Sequence, residues 1–145
     1  MFKKLIAAGA IAACATAAMA SEFWDVYDWN TAQKIGTLSF ETQSGNDAVY
    51  VSQDGSVRYY IRGLAGVENP RGTFQGFFID YNGRGLPACP SGPGTDHLGN
   101  KVAHWGHLRM EWLLDEGGEL AWTMSMGWCN DPISQEPVAA SYQAH

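Results

Sequence analysis

His97, His104 and His107, with Asp96 beside the first, are the residues best suited to do chemistry: three imidazoles and a carboxylate within twelve positions. Neutral imidazole is a common metal ligand and titrates near neutral pH, so a metal site or an acid–base pair is what such a group suggests. The spacing works against both. On a strand, residues three apart point to opposite faces, so His104 and His107 converge only if the chain bends at Gly106. No H-E-x-x-H or comparable pattern is present. No metal ligand set and no cofactor are therefore assigned, and the simpler reading leaves these histidines hydrogen-bonded or in solvent.

Other catalytic patterns are weaker. Ser91 lies in Pro90-Ser91-Gly92-Pro93, which lacks the G-x-S-x-G turn that presents a hydrolase serine. Asp and Glu are plentiful, but nothing singles out two of them as an acid–base pair. The balance leans away from an enzyme. Tryptophan is the remaining feature, at six positions: Trp24, Trp29, Trp105, Trp112, Trp122 and Trp128. Trp112 and Trp122 fit a β-core, whereas Trp24, Trp29 and Trp105 are less committed. Trp105 follows a long irregular stretch and is placed to cover a cavity mouth or stack on a sugar ring. Trp105, His104, His107 and Asp96 are thus the expected ligand-binding residues, on a loop and the residues just after it.

The elements that must position them read as β-strands. Leu108, Met110, Trp112 and Leu114 alternate with His107, Arg109, Glu111 and Leu113. After Asp115-Glu116-Gly117-Gly118-Glu119, the residues Leu120, Trp122, Met124, Met126 and Trp128 alternate in the same way. Folded about Gly117, this predicts a hairpin that pairs Leu114 with Leu120, Trp112 with Trp122, Met110 with Met124 and Leu108 with Met126 on one face. A helix over Trp105–Leu114 also fits the apolar spacing, but Gly106 and the strict alternation of the partner segment argue for strands. Further strands are expected over Phe23–Trp29, Ile35–Thr42, Ala48–Ser52, Ser56–Gly63 and Thr73–Tyr81, with Asp54-Gly55 as a hairpin turn.

About seven strands with mostly short turns imply an all-β domain, an antiparallel meander forming a small barrel; a two-sheet sandwich is the alternative fold. In strand number and short connections this architecture is similar to the calycins (lipocalins and avidins), a resemblance of fold that carries little about function. The stretch Asn82–Lys101 is the exception to short turns. It holds three prolines, several glycines and Cys89, with no apolar periodicity. A loop that long is usually functional or tied down.

Composition narrows the function. Lys3 and Lys4, an uncharged Ala-rich run from Leu5 to Ala18, and Ala18-Met19-Ala20 have the layout of a secretory signal peptide over residues 1–20. The run is too short and too weakly apolar for a membrane span. Ile11-Ala12-Ala13-Cys14 also resembles a lipoprotein cleavage box, so lipid anchoring through Cys14 is the alternative to simple release into the periplasm or beyond.

Without the leader, seven basic residues face fifteen acidic ones, a formal net charge of −8. That excludes the clustered cations that nucleic acid or an anionic membrane requires. Cys89 and Cys129 are then the only cysteines, which in an oxidising compartment predicts one disulfide. The expected organisation is a leader, a single β-domain over 21–131 and a flexible tail over 132–145. The expected function is a non-catalytic envelope module holding a small apolar or glycan ligand. The alternatives are a protein-binding or inhibitory module and a small metal-dependent or acid–base hydrolase. An aromatic-lined recess, a filled barrel with a rigid projecting loop, and converging His and carboxylate groups would distinguish the three.

Overall fold

A computed structural model describes residues 22–142; the leader, its cleavage box and Cys14 lie outside the described residues. Strands β1 (Phe23–Asp28), β2 (Lys34–Ser44), β3 (Asp47–Ser52), β4 (Val57–Ile61) and β5 (Gly72–Asp80) follow one another as antiparallel neighbours. A long excursion then carries a 3-10 turn (Gly83–Gly85) and a two-residue hairpin of β6 (Gly94–Thr95) with β7 (Lys101–Val102). The chain resumes in β8 (Trp105–Leu114), β9 (Leu120–Trp128) and β10 (Ala139–Tyr142). Apart from β6 and β7, the strands close into an eight-stranded antiparallel barrel in the order β1-β2-β3-β4-β5-β8-β9-β10. Among the described residues, no helix is long and apolar enough to cross a membrane.

The period-2 alternation selects which side chains go inside. Trp112 pairs with Trp122, Met110 with Met124, Leu108 with Met126 and Leu114 with Leu120, the register read from the sequence. Their inward members join Trp24, Leu38, Tyr50, Val57, Ile61 and Phe78 in one continuous interior cluster. Trp24 sits edge-on to both Trp112 and Trp122, with ring centroids 5.4 and 6.4 Å apart, a favoured aromatic geometry. The barrel centre is therefore packed with side chains, as in other small eight-stranded barrels.

Gly106 does not bend the chain. It sits inside β8, paired with Phe78 on one side and Trp128 on the other. A Cβ at this position would come within 2.1 Å of the Gly127 carbonyl oxygen and 2.6 Å of the Phe78 ring, so glycine is needed there for the close approach of β9 and an inward aromatic, not for a kink.

The C-terminal segment departs from expectation. Within 132–145, Ala139–Tyr142 is not a free tail: it pairs with β1 on one edge and β9 on the other, and so closes the barrel. Its inward residues, Ala139 and Ser141, are small enough to fit opposite Met124 and Trp122. Small inward residues leave no hydrophobic alternation to detect, which is why a four-residue strand reads as patternless.

The excursion between β5 and β8 does not project. Val49, Tyr60 and Ile79 face outward from β3, β4 and β5, yet are buried, packed with Phe77, Tyr81, Val102 and Trp105 in a second cluster. The Cys89–Cys129 disulfide, with Cα atoms 5.4 Å apart, ties the excursion to the residue after β9.

Candidate functional site

The expected binding residues fall into two groups with different surroundings. Asp96 is 4% exposed, and both its oxygens are occupied. Oδ2 accepts from the Tyr81 hydroxyl at 2.6 Å and from Asn100 Nδ2 at 3.1 Å. Oδ1 accepts from the backbone N–H groups of Leu98 and Asn100. Burial by itself would raise this carboxyl, but the Tyr81 and Asn100 hydrogen bonds outweigh it and hold the group at about 2. Tyr81 is correspondingly pushed up to about 12 by its own burial and by the anion it serves.

The network continues outward. Arg58 donates to Tyr81 Oη at 2.8 Å and binds the Glu41 carboxylate with both Nε and Nη2, at 2.7 and 2.8 Å. His97 Nδ1 lies 2.9 Å from the Tyr60 hydroxyl, which also accepts the His97 backbone N–H. His104 Nε2 lies 2.8 Å from the Leu86 carbonyl, and its ring stands where a Gly83 side chain would otherwise be. His97 thus ties the excursion directly to β4, Asp96 reaches β4 through Tyr81 and Arg58, and His104 braces the excursion internally against Leu86.

Trp105 and His107 remain together. Both face outward from β8, with their rings edge-on at 5.7 Å. With Arg62, Phe77, Pro93 and Gly94 they line a shallow cleft of about 250 Å³ on the outer wall. The Trp105 indole N–H is already donated to the Gly92 carbonyl at 2.8 Å, so the ring can offer a ligand only its face. Among the described residues, no group of three or more His, Cys, Asp or Glu side chains is arranged to hold a metal ion.

A second recess lies at one end of the barrel, where sequence reasoning placed none of its candidates. There the inward residues Tyr59, Phe78, Met126 and Trp128, with Val57, Val138 and Arg84, line a cup of about 200 Å³. Phe78 packs edge-on to Trp128 at 5.4 Å and tilted against Tyr59 at 6.5 Å. Burial pushes the Tyr59 phenol up, partly offset by the nearby Arg84 charge.

The backbone at this cup is unusual. Arg84 has φ 50°, between Gly83 at 67° and Gly85 at 74°, and Cys129, next to Trp128, has φ 55°. Left-handed conformations cost a residue with a Cβ about 1 kcal/mol or more and persist only where neighbours enforce them. Here Asp80 is one enforcer: its Oδ1 accepts the N–H groups of Asn82 and Gly83 at 3.1 and 3.0 Å. Its Oδ2 lies 2.9 Å from Arg84 Nε but without hydrogen-bond alignment, and among the described residues it accepts no hydrogen bond.

The signals for this cup were present but indistinct in sequence. Trp128 ended the predicted apolar stripe, and Gly83-Arg84-Gly85 marked a turn that held a side chain. Nothing local showed that the excursion begins directly over a barrel end. Comparison with protein-family models, with curated proteins and with solved structures gave no match.

Proposed function

We propose that this chain is an exported, non-catalytic binding module that takes a small single-ring ligand, apolar or glycan, at the open mouth of a filled barrel. The observation that carries this reading is the aromatic cup of Tyr59, Phe78, Met126 and Trp128, left open at one end of an otherwise packed interior. Barrel mouths are common ligand sites, and aromatic walls with one or two polar groups are their usual lining. Size limits the ligand. About 200 Å³ is below the roughly 300–1,000 Å³ of ordinary small-molecule pockets, so one ring fits and a drug-sized body does not. A ring of about twelve heavy atoms at roughly 0.3 kcal/mol each gains about 4 kcal/mol, a dissociation constant on the order of 1 mM. Tight binding would therefore come from several rings or several copies acting together.

A second reading places the ligand in the outer cleft, on the face of Trp105 beside His107, Phe77 and Arg62. Trp105 lines that cleft, and an indole face suits a stacked sugar. In both readings Asp96 and His104 act indirectly, by holding the excursion in place. Titration of the mature protein with monosaccharides and small cyclic alcohols, followed by tryptophan fluorescence, tests the proposal. A response lost in Trp128→Phe but kept in His107→Ala assigns the mouth, and the reverse pattern assigns the cleft. No response in the tens of millimolar range would sink the binding-module reading.

A further inference from the structure

The charged groups at the outer cleft narrow its ligand class, an inference that rests on the second reading above and is independent of the mouth. We infer that the cleft takes a six-membered ring bearing a carboxylate, with the ring against Trp105 and Phe77 and the carboxylate on Arg62 and His107. All four residues line the same recess of about 250 Å³, together with Pro93 and Gly94. The described residues include five arginines. Arg58, Arg71, Arg84 and Arg109 each set a side-chain nitrogen against an oxygen of the protein. Arg62 is exposed and, among the described residues, makes no ion pair or side-chain hydrogen bond. The imidazoles divide in the same way: among the described residues His97 and His104 are hydrogen-bonded, whereas the half-buried His107 is not. The cleft thus gathers the arginine and the imidazole that the fold leaves unpartnered, and no Asp or Glu lines it.

The sheet holds these groups in register. Phe77 on β5 pairs with His107 on β8 and with Tyr60 on β4. Its ring stacks on Tyr60 at 4.5 Å, which fixes its orientation. Arg62 follows β4, and its backbone N–H donates to the Gln75 carbonyl at 2.9 Å, so it continues the outward face two residues beyond Tyr60. From the excursion, Gly94 backs onto Trp105: a Cβ there would meet the indole at 3.0 Å. The outward positions of β8 beyond His107 are Arg109 and then Glu111, so the first carboxylate on that strand branches from the backbone roughly 13 Å away.

A guanidinium donates and never accepts, and a carboxylate is the acceptor it binds best, through two parallel bonds. An exposed arginine is ordinarily hydrated. Here it stands beside an aromatic recess, where a bound ring displaces water and strengthens the ion pair. A neutral ring covers the same aromatics without using either donor, and a cationic ring meets Arg62 with like charge.

The test uses the mature chain with its disulfide intact. The probes are benzoate and methyl galactopyranosiduronate, with benzyl alcohol and methyl galactopyranoside as their neutral counterparts. NMR shifts of the Trp105 indole N–H and the His107 amide report the cleft, and those of Trp128 report the mouth. At least one carboxylate is expected to bind the cleft about fivefold more tightly than its neutral counterpart, the scale of a charge-assisted contact at a partly open site. Arg62→Gln is expected to bring that pair within about twofold of each other. The Arg62 side chain holds no hydrogen bond among the described residues, so an unchanged melting midpoint shows that the loss is not misfolding. A uronide that binds more tightly than benzoate identifies acidic glycan as the source, and the reverse order identifies an aromatic acid.

If each neutral ring matches its carboxylate at the cleft, or Arg62→Gln leaves the difference intact, the carboxylate reading is overturned while cleft binding stands. If no probe moves the cleft resonances in the tens of millimolar range, both fall, and the shifts at Trp128 still decide the mouth.

Discussion

The two ends of this barrel are built from the same kinds of residue and finished in opposite ways. At one end Glu22 folds inward ahead of β1. Its Oε2 accepts from Trp24 Nε1 at 2.6 Å and from the Tyr50 hydroxyl at 2.9 Å. Leu64, from the connection between β4 and β5, packs into the same interior cluster. Trp24, Trp112 and Trp122 are all at most 3% exposed. At the other end the inward Tyr59, Met126 and Trp128 are only partly covered. The chain there spends its constraints on the rim, with a disulfide, an aspartate-capped turn and two left-handed non-glycine residues. Sealing an end needs only a short connection and one satisfied polar group. Keeping an aromatic cup open needs a rim that is held in place, since exposed rings would otherwise collapse onto one another.

The largest expected contrast is in packing. Trp112→Ala at the sealed end should cost about 3–5 kcal/mol, as aromatic truncations in cores do. Trp128→Ala at the open end should cost roughly 1–2 kcal/mol, because part of that ring is already in water. Glu111→Ala, facing outward from β8, should stay under about 0.5 kcal/mol as a control. Urea denaturation midpoints check all three, and equal losses for the two tryptophans would erase the difference between the ends.

Next comes the rim. Removing the Cys89–Cys129 bond with a double serine variant should cost roughly 3–4 kcal/mol, since the bond closes a forty-residue span. The loss should centre on the excursion. Hydrogen exchange should quicken there first and leave the amides of β8 and β9 near the sealed end protected.

Smaller effects with opposite signs follow from two carboxyls. Asp96 is held below its unfolded value of 3.8, at about 2, so its contribution is complete above pH 4 and is lost as pH falls towards 2. Asp96→Asn should therefore destabilise by about 1–3 kcal/mol at pH 7, with the penalty shrinking as pH drops through that window. Glu22 is raised above 4.5, first by burial, with Trp24 and Tyr50 opposing. Its contribution is full below pH 4.5 and declines as pH rises past the folded value. Glu22→Gln should thus be neutral in acid and slightly stabilising at pH 7. Thermal melts of both variants from pH 2 to 8 read the two slopes, and parallel slopes would contradict the structure.

The smallest effect is expected at Arg84. Replacing it with glycine relieves a left-handed conformation and loses one largely exposed ion pair, terms of about 1 kcal/mol that oppose each other. The melting midpoint should move by no more than a degree or two.

Much of the scaffold was legible beforehand because it is local. The β8–β9 register follows from two apolar stripes and a glycine turn, and the disulfide from there being two cysteines in the expected mature chain. β10 was missed because Ala139 and Ser141 carry no hydrophobic signal. Residue type alone does not show that both Asp96 oxygens already accept hydrogen bonds or that His104 Nε2 lies beside the Leu86 carbonyl. The cup was missed because Tyr59, Phe78, Arg84 and Trp128 are scattered over some seventy positions of the sequence.

Alternation, turn residues and cysteine number pointed from sequence alone to an antiparallel β-meander with one cross-link, and left closure into a barrel or packing as a sandwich to the tertiary structure. They act between neighbours along a strand or across a hairpin, where period and spacing are enough. The tertiary structure decided which end is sealed, where the long excursion lies and which aromatics stay open to a ligand. Those outcomes depend on how strands distant in sequence curve and close, which sets how much of each inward ring its neighbours can reach.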